Sequence, residues 1–263
     1  MKTRPILPLL TLTLLGLVLG DKLARVYRDA RAESPAEQVV ESRSAASAVT
    51  PGARTRKAAP SEPAGTPTLE RLARLAARRQ ITREGGTTFL DSLLVTTDSV
   101  VRRWPDREGA PLRVAIIEGG AAGYDARMAE FVRTALATWE AAGLGLRFTV
   151  VGDSADADIT VHWIERFGYD RAGQTDLTWD QLGHVRRASI ALAVRTSGGV
   201  VLPDLALLSV ALHETGHALG LPHSADSTDV MFPATRTGAL SERDRRTAVL
   251  LYRLPPGPVR DGA

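Results

Sequence analysis

The chain has 263 residues, 44% of them hydrophobic, a formal net charge of +3 and no Cys. That is enough apolar material for one substantial core plus a front segment. The missing Cys excludes disulfides and thiolate metal ligands, and a scattered basic excess with no recognition motif argues against nucleic acid as a partner.

The charge is unevenly placed. Residues 1–103 carry 17 Lys and Arg against 10 Asp and Glu, and residues 104–263 carry 16 against 20. The front is therefore basic and the remainder mildly acidic. Lys2 and Arg4 precede an apolar run over 6–20, the pattern of a signal peptide or signal anchor. The run is short for a transmembrane helix, which needs about 20 apolar residues. Either reading places the following chain outside the cytoplasm, secreted or membrane-anchored, and the basic front fits association with an anionic membrane surface. Residues 21–66, rich in Ala, Arg, Ser, Glu and Pro, read as a disordered linker. Residues 67–103 read as a front segment in which Leu69, Leu72, Leu75, Ala76 and Ile81 fall at helical spacing, with Gly85 and Gly86 as the stop. This helix would pack on the domain, as a pro-segment does, lie on a membrane surface, or sit solvated on the domain's flank.

Leu112 to Ile117 reads as a strand from its β-branched content. Residues 124–142 read as an amphipathic helix with Met128, Phe131, Val132, Ala135 and Trp139 on one stripe, stopped by Gly143 and Gly145. Residues 146–151 and 159–164 read as two more strands, so the strand–helix–strand order predicts a parallel pair. Residues 185–194 read as a long strand. Asp153, Asp156 and Asp158 lie close together but lack calcium-loop spacing, so loop capping is expected there and calcium is unsupported. His162 on a strand and His184 at a turn read as structural.

One stretch carries chemistry. His213, Glu214, His217, Gly220 and His223 form the pattern H-E-x-x-H-x-x-G-x-x-H. Two His four apart on a helix share a face and can grip one metal ion. Gly220 can break the helix and let His223 reach the same ion. Three imidazoles leave the fourth corner of a zinc tetrahedron open, which is the catalytic arrangement, and Glu214 beside the first ligand is the natural general base for the water there. Pro203 and Asp204 open this helix, and Leu205, Leu208 and Leu212 supply its core face.

This string resembles the zinc signature of the metzincin metallopeptidases. Asp229, Val230, Met231, Phe232 and Pro233 resemble the Met-turn of that clan. The eight residues from His223 to Met231, and Ser224 directly after His223, resemble the matrixin branch, the matrix metalloproteinases and their bacterial relatives. The resemblance covers about 104–254, with residues 255–263 as a tail. It implies an α+β zincin domain: a twisted, mostly parallel five-stranded sheet with an antiparallel edge strand and three helices. It places that edge strand at 172–179 above the cleft, a specificity-pocket wall at 233–238, and Met231 as a hydrophobic floor. Asp244 would brace the Met-turn or cap the last helix with Ser241 as N-cap.

The implied activity is that of a zinc-dependent endopeptidase. One catalytic Zn²⁺ would sit on His213, His217 and His223, with Glu214 activating the zinc-bound water. The partner would be a protein or peptide substrate, and the chain a monomer. The His set of a second, structural zinc is not found. The cysteine switch of animal matrixins is excluded because there is no Cys. Two other readings stay open: a zinc-containing interaction module that cleaves nothing, and a non-peptidase zinc hydrolase.

Overall fold

The computed structural model describes residues 68–95 and 99–260. The predicted signal segment, 1–20, and the linker, 21–66, lie outside the described residues. Among the described residues no helix is long and apolar enough to cross a membrane.

Helix α1 (Leu69–Arg83) begins at Thr68, whose hydroxyl accepts from the Arg71 N–H. Only the C-terminal end of the predicted stripe, Ile81, is fully buried. Ala77 and Ile81 enter the core, whereas Leu69 and Leu72 face solvent. A short helix α2 (Ser92–Val95) and strand β1 (Val100–Val101) follow. Phe89, Leu90 and Val101 are buried in the same hydrophobic core as the residues that follow.

The central sheet is built as the alternation predicts. Strands β2 (Leu112–Ile116), β3 (Phe148–Val151), β4 (Ile159–Ile164) and β6 (Val185–Ala193) run parallel, and β5 (Gly173–Trp179) runs antiparallel to β6. The order is β3-β2-β4-β6-β5, so β3 and β5 are the two edges. Ile159, Val161 and Trp163 alternate inward along β4, as a period of two requires.

Helix α3 (Met128–Glu140) starts four residues later than the apolar pattern, because Asp125 holds a turn there. Its carbonyl accepts from Met128 N–H and its carboxylate from Arg127 N–H. Met128, Val132, Ala135, Leu136 and Trp139 face the core. Trp139 is fully buried and donates its indole N–H to the Leu212 carbonyl at 2.9 Å. That bond ties α3 to helix α4 (Asp204–Ala218), which lies against β5 and β6. Helix α5 (Glu242–Arg253) opens with a full capping box of Ser241 and Asp244.

The tail does not trail away. Strand β7 (Gly257–Pro258) pairs antiparallel with β1, and Val259 is buried. Together these elements form an α+β fold with a five-stranded, mostly parallel sheet, an antiparallel edge strand and, among the described residues, five helices. Three of the five, α3 to α5, are those expected of the domain.

Candidate metal centre and active site

Helix α4 carries the site. His213 and His217 stand one turn apart on it, with Glu214 beside them. The helix ends in a Schellman motif: Leu221 N–H donates to the Gly216 carbonyl and Gly220 N–H to that of His217. Gly220 has φ +96°, and a Cβ there would lie 2.1 Å from the Arg102 carbonyl oxygen. Only Gly satisfies both constraints. The chain then turns back and brings His223 to the other two imidazoles.

Their Nε2 atoms converge. His217 Nε2 lies 3.0 Å from that of His213 and 3.1 Å from that of His223. Tautomers follow from the far side of two rings. His213 Nδ1 lies 2.8 Å from the Val230 carbonyl and His217 Nδ1 2.9 Å from the Leu221 carbonyl. A carbonyl only accepts, so both Nδ1 atoms carry the proton and both Nε2 atoms present lone pairs. Two lone pairs facing each other at 3.0 Å repel unless a cation sits between them. Tetrahedral zinc with bonds of about 2.0–2.1 Å would separate its nitrogen ligands by about 3.3 Å, so the donor set fits that ion. Among the described residues no other group of three His, Cys, Asp or Glu side chains converges in this way.

Burial and proximity keep the imidazoles neutral. His217 is pushed down to about 3 by burial and by the neighbouring His213 and His223. His223 is pushed down to about 4, first by burial, then by His213 and Arg171, and His213 is lowered by burial.

Glu214 is 5% exposed. Burial pushes its carboxyl up to about 7, opposed by the Thr175 hydrogen bond and the Arg171 charge. Thr175, on β5, donates to Glu214 Oε2 at 2.7 Å. Gly173, two residues earlier on the same face, makes room: a Cβ there would lie 2.5 Å from both Cγ and Oε1 of Glu214. Neither residue stands out in the sequence. The predicted edge strand at 172–179 together with its period of two was the available signal, since it places 173 and 175 on one face.

The floor is Met231, fully buried. A Cβ on Gly216 would lie 2.3 Å from its sulfur and 3.0 Å from Trp139 Cζ2, so the Gly in the last turn of α4 is there for close packing. Asp244 performs both of its candidate tasks. It accepts from Val230 N–H at 2.8 Å and Met231 N–H at 3.3 Å, and its capping bond comes from Ser241 N–H at 2.8 Å. Ser224, next to His223, donates its backbone N–H to the Met231 carbonyl at 2.9 Å. Its hydroxyl donates to Asp229, which also pairs with Arg243 at 3.0 Å.

The segment predicted as a pocket wall rests on the N-terminal half of α4. Ser209 donates to the Thr237 carbonyl at 2.7 Å, and Gly238 abuts Leu205. His162 and His184 stay apart from the triad. His184 Nδ1 lies 3.5 Å from Asp180 Oδ2 at the β5–β6 turn. Asp153 caps the Ala155 N–H, Asp156 pairs with Arg113, and Asp158 takes Arg107 and the Arg113 N–H.

The matrixin family model matches residues 112–253. The chain belongs to the matrixin family. No curated protein matches it. Matrixins are zinc-dependent metallopeptidases, so this chain is a zinc metallopeptidase by family, acting on protein or peptide substrates. The matched span of this matrixin begins at β2 and ends with α5. It therefore contains the whole sheet, all three His and the Met-turn, and it leaves out α1, α2, β1 and β7.

Proposed function

We propose that this matrixin is an endopeptidase in which His213, His217 and His223 hold one zinc ion and Glu214 is the general base. The observation that carries the reading is the pair of Nε2 lone pairs at 3.0 Å beside a buried Glu214 whose proton affinity is raised to about 7. When bound, zinc supplies Lewis acidity, polarising a carbonyl and making a water easier to deprotonate.

The protein residues do the rest. Thr175 occupies Oε2 of Glu214, which leaves Oε1 to take the proton of the attacking water. A base with a pKa near neutrality accepts that proton more readily than an ordinary carboxylate and can return it to the leaving amine. Val230 and Leu221 fix the His213 and His217 rings through their Nδ1 protons. Gly173 keeps the space beside Oε1 free of side chain.

An extracytoplasmic setting is part of the proposal, supported by the charged and apolar start of the sequence. Cell fractionation with N-terminal sequencing of the mature chain tests it, and a cytoplasmic protein with an intact Met1 would sink it.

The activity is tested by offering a mixed peptide library to the zinc-loaded protein and to Glu214→Gln. Internal cleavage by the first alone, with one zinc bound by both, is the expected result. One zinc per chain and no cleavage by either would favour an interaction module. Turnover of small esters without peptide cleavage would favour a different zinc hydrolase.

A further inference from the structure

Arg171 stands at the entrance to the edge strand, two residues before Gly173, whose Cα faces the Glu214 side chain. Its guanidinium is held from two sides. It lies 4.6 Å from the Tyr169 ring centre and 5.9 Å from that of Phe167, and it donates to Gln174 Oε1 at 2.9 Å. Aromatic stacking and a fixed amide restrict a side chain that would otherwise lose much rotamer entropy on binding.

The acid nearest along the strand does not neutralise it. Asp176 takes both N–H groups of the Gln174 amide, at 3.1 Å each. The amide thus stands between cation and anion, and among the described residues Arg171 forms no ion pair. The result is a pre-organised positive charge on the rim of a catalytic cleft, exposed to whatever chain lies along β5.

We propose that Arg171 is a specificity-determining residue that favours substrates with a carboxylate close to the scissile bond. This rests on the peptidase reading above. The carboxylate could be an Asp or Glu side chain, or the C-terminus of a short peptide; both present the same planar anion to the guanidinium.

The test uses the zinc-loaded full chain and matched peptides that differ at one position near the cut, Glu against Gln against Lys. Each peptide is made with a free and with an amidated C-terminus. The readout is the ratio of kcat/KM between Glu and Gln peptides within one enzyme, so any effect of Arg171 on the general base cancels. Wild type should prefer the Glu peptide by about fivefold, the size of an exposed ion pair, and the preference should shrink as salt is raised. Arg171→Ala should bring the ratio to about one, Arg171→Lys should keep part of it, and Arg171→Glu should turn it toward the Lys peptide. A Glu-over-Gln preference in the amidated set assigns recognition to the side chain, and a preference for free over amidated C-termini that Arg171→Ala removes assigns it to the terminal carboxylate.

A Glu-to-Gln ratio and a free-to-amidated ratio both unchanged by Arg171→Ala would overturn the inference while leaving the peptidase standing. No cleavage of any peptide by wild type would overturn the peptidase reading, and the inference with it.

Discussion

Thr175 Oγ1 lies 2.7 Å from Glu214 Oε2 and 3.0 Å from the Glu214 carbonyl oxygen, so its single proton is shared between two acceptors of one residue, the nearer being Oε2. The edge strand is thereby fastened to α4 at the proposed general base itself. Replacing Thr175 with Val should lower kcat about 10- to 150-fold, since a hydrogen bond to a charged group contributes about 1.5–3 kcal/mol. KM should change little. The bond favours the ionised carboxylate, so its loss raises the proton affinity of Glu214. The acid limb of the pH–rate profile should therefore move to higher pH. An unmoved limb would show that Thr175 does not act through Glu214.

Gly216→Ala sets two effects against each other. Ala is favoured over Gly in a helix by about 1 kcal/mol. The added Cβ would meet the Met231 sulfur at 2.3 Å, and Met231 is fully buried with Trp139 alongside. Overpacking of this kind costs about 1–3 kcal/mol, so the variant should be less stable despite its better propensity. Denaturant midpoints of the two zinc-loaded proteins decide it, and a more stable variant would mean that Met231 can swing aside.

The Asp244 carboxylate satisfies three buried or half-buried N–H groups, those of Val230, Met231 and Ser241. Asp244→Ala strands all three, at about 1–3 kcal/mol for each unsatisfied group. A loss of about 3 kcal/mol or more in unfolding free energy is expected. Because the Val230 carbonyl orients His213, zinc affinity should fall as well, by about 10- to 100-fold. Competition with a chromogenic chelator measures that second effect, and full affinity in a destabilised variant would confine Asp244 to capping.

Metal removal should expose a pH dependence. In the metal-free fold His213, His217 and His223 are all held below their ordinary value of 6.5, chiefly by burial. Below pH 6.5 the unfolded chain takes up protons that the folded chain refuses, so stability falls as pH drops toward 4. Above pH 6.5 the three rings are neutral in both states and contribute no slope. Melting temperatures of chelated protein should thus be lower at pH 5 than at pH 7, with zinc raising the value at pH 7. Glu214, raised to about 7, slopes the other way between its ordinary 4.5 and 7. One carboxyl offsets only part of three rings, so a melting temperature that rose toward pH 5 would contradict the burial of the rings.

The parts of the site that were legible in the sequence are those whose partners are local. His213, His217 and Gly220 obey the helical period and its stop, and the capping box of Ser241 and Asp244 spans four residues. The strands were legible because β-branched residues alternate along them. Thr175 was silent because its partner lies 39 residues away and a Thr on an edge strand has an ordinary role there. Helix α1 misled because its Leu residues look like a core stripe, while the smaller Ala77 is what fits against the domain. Pro255, Pro256 and Gly257 read as a terminator, yet Gly257, with φ +115°, is where the chain returns to pair with Val101. A two-residue pairing across the whole length of a domain leaves no periodic trace.

The burial of the front segment limits how this matrixin can be matured. Ile81, Phe89, Leu90 and Val101 are each at most 3% exposed, and all belong to the one core that also holds Met231 and Leu212. Full burial of such side chains contributes about 1.5–3 kcal/mol each. Four of them together rival the whole stability of a typical domain, about 5–15 kcal/mol. Trp104, just beyond them, donates its indole N–H to the Ala218 carbonyl at the end of the catalytic helix. A proteolytic cut ahead of Trp104 would therefore not uncover a finished enzyme. The severed piece would stay lodged in place, or its departure would take the fold with it, so the buried side chains Ile81, Phe89, Leu90 and Val101 would act as a lasting wedge under the domain.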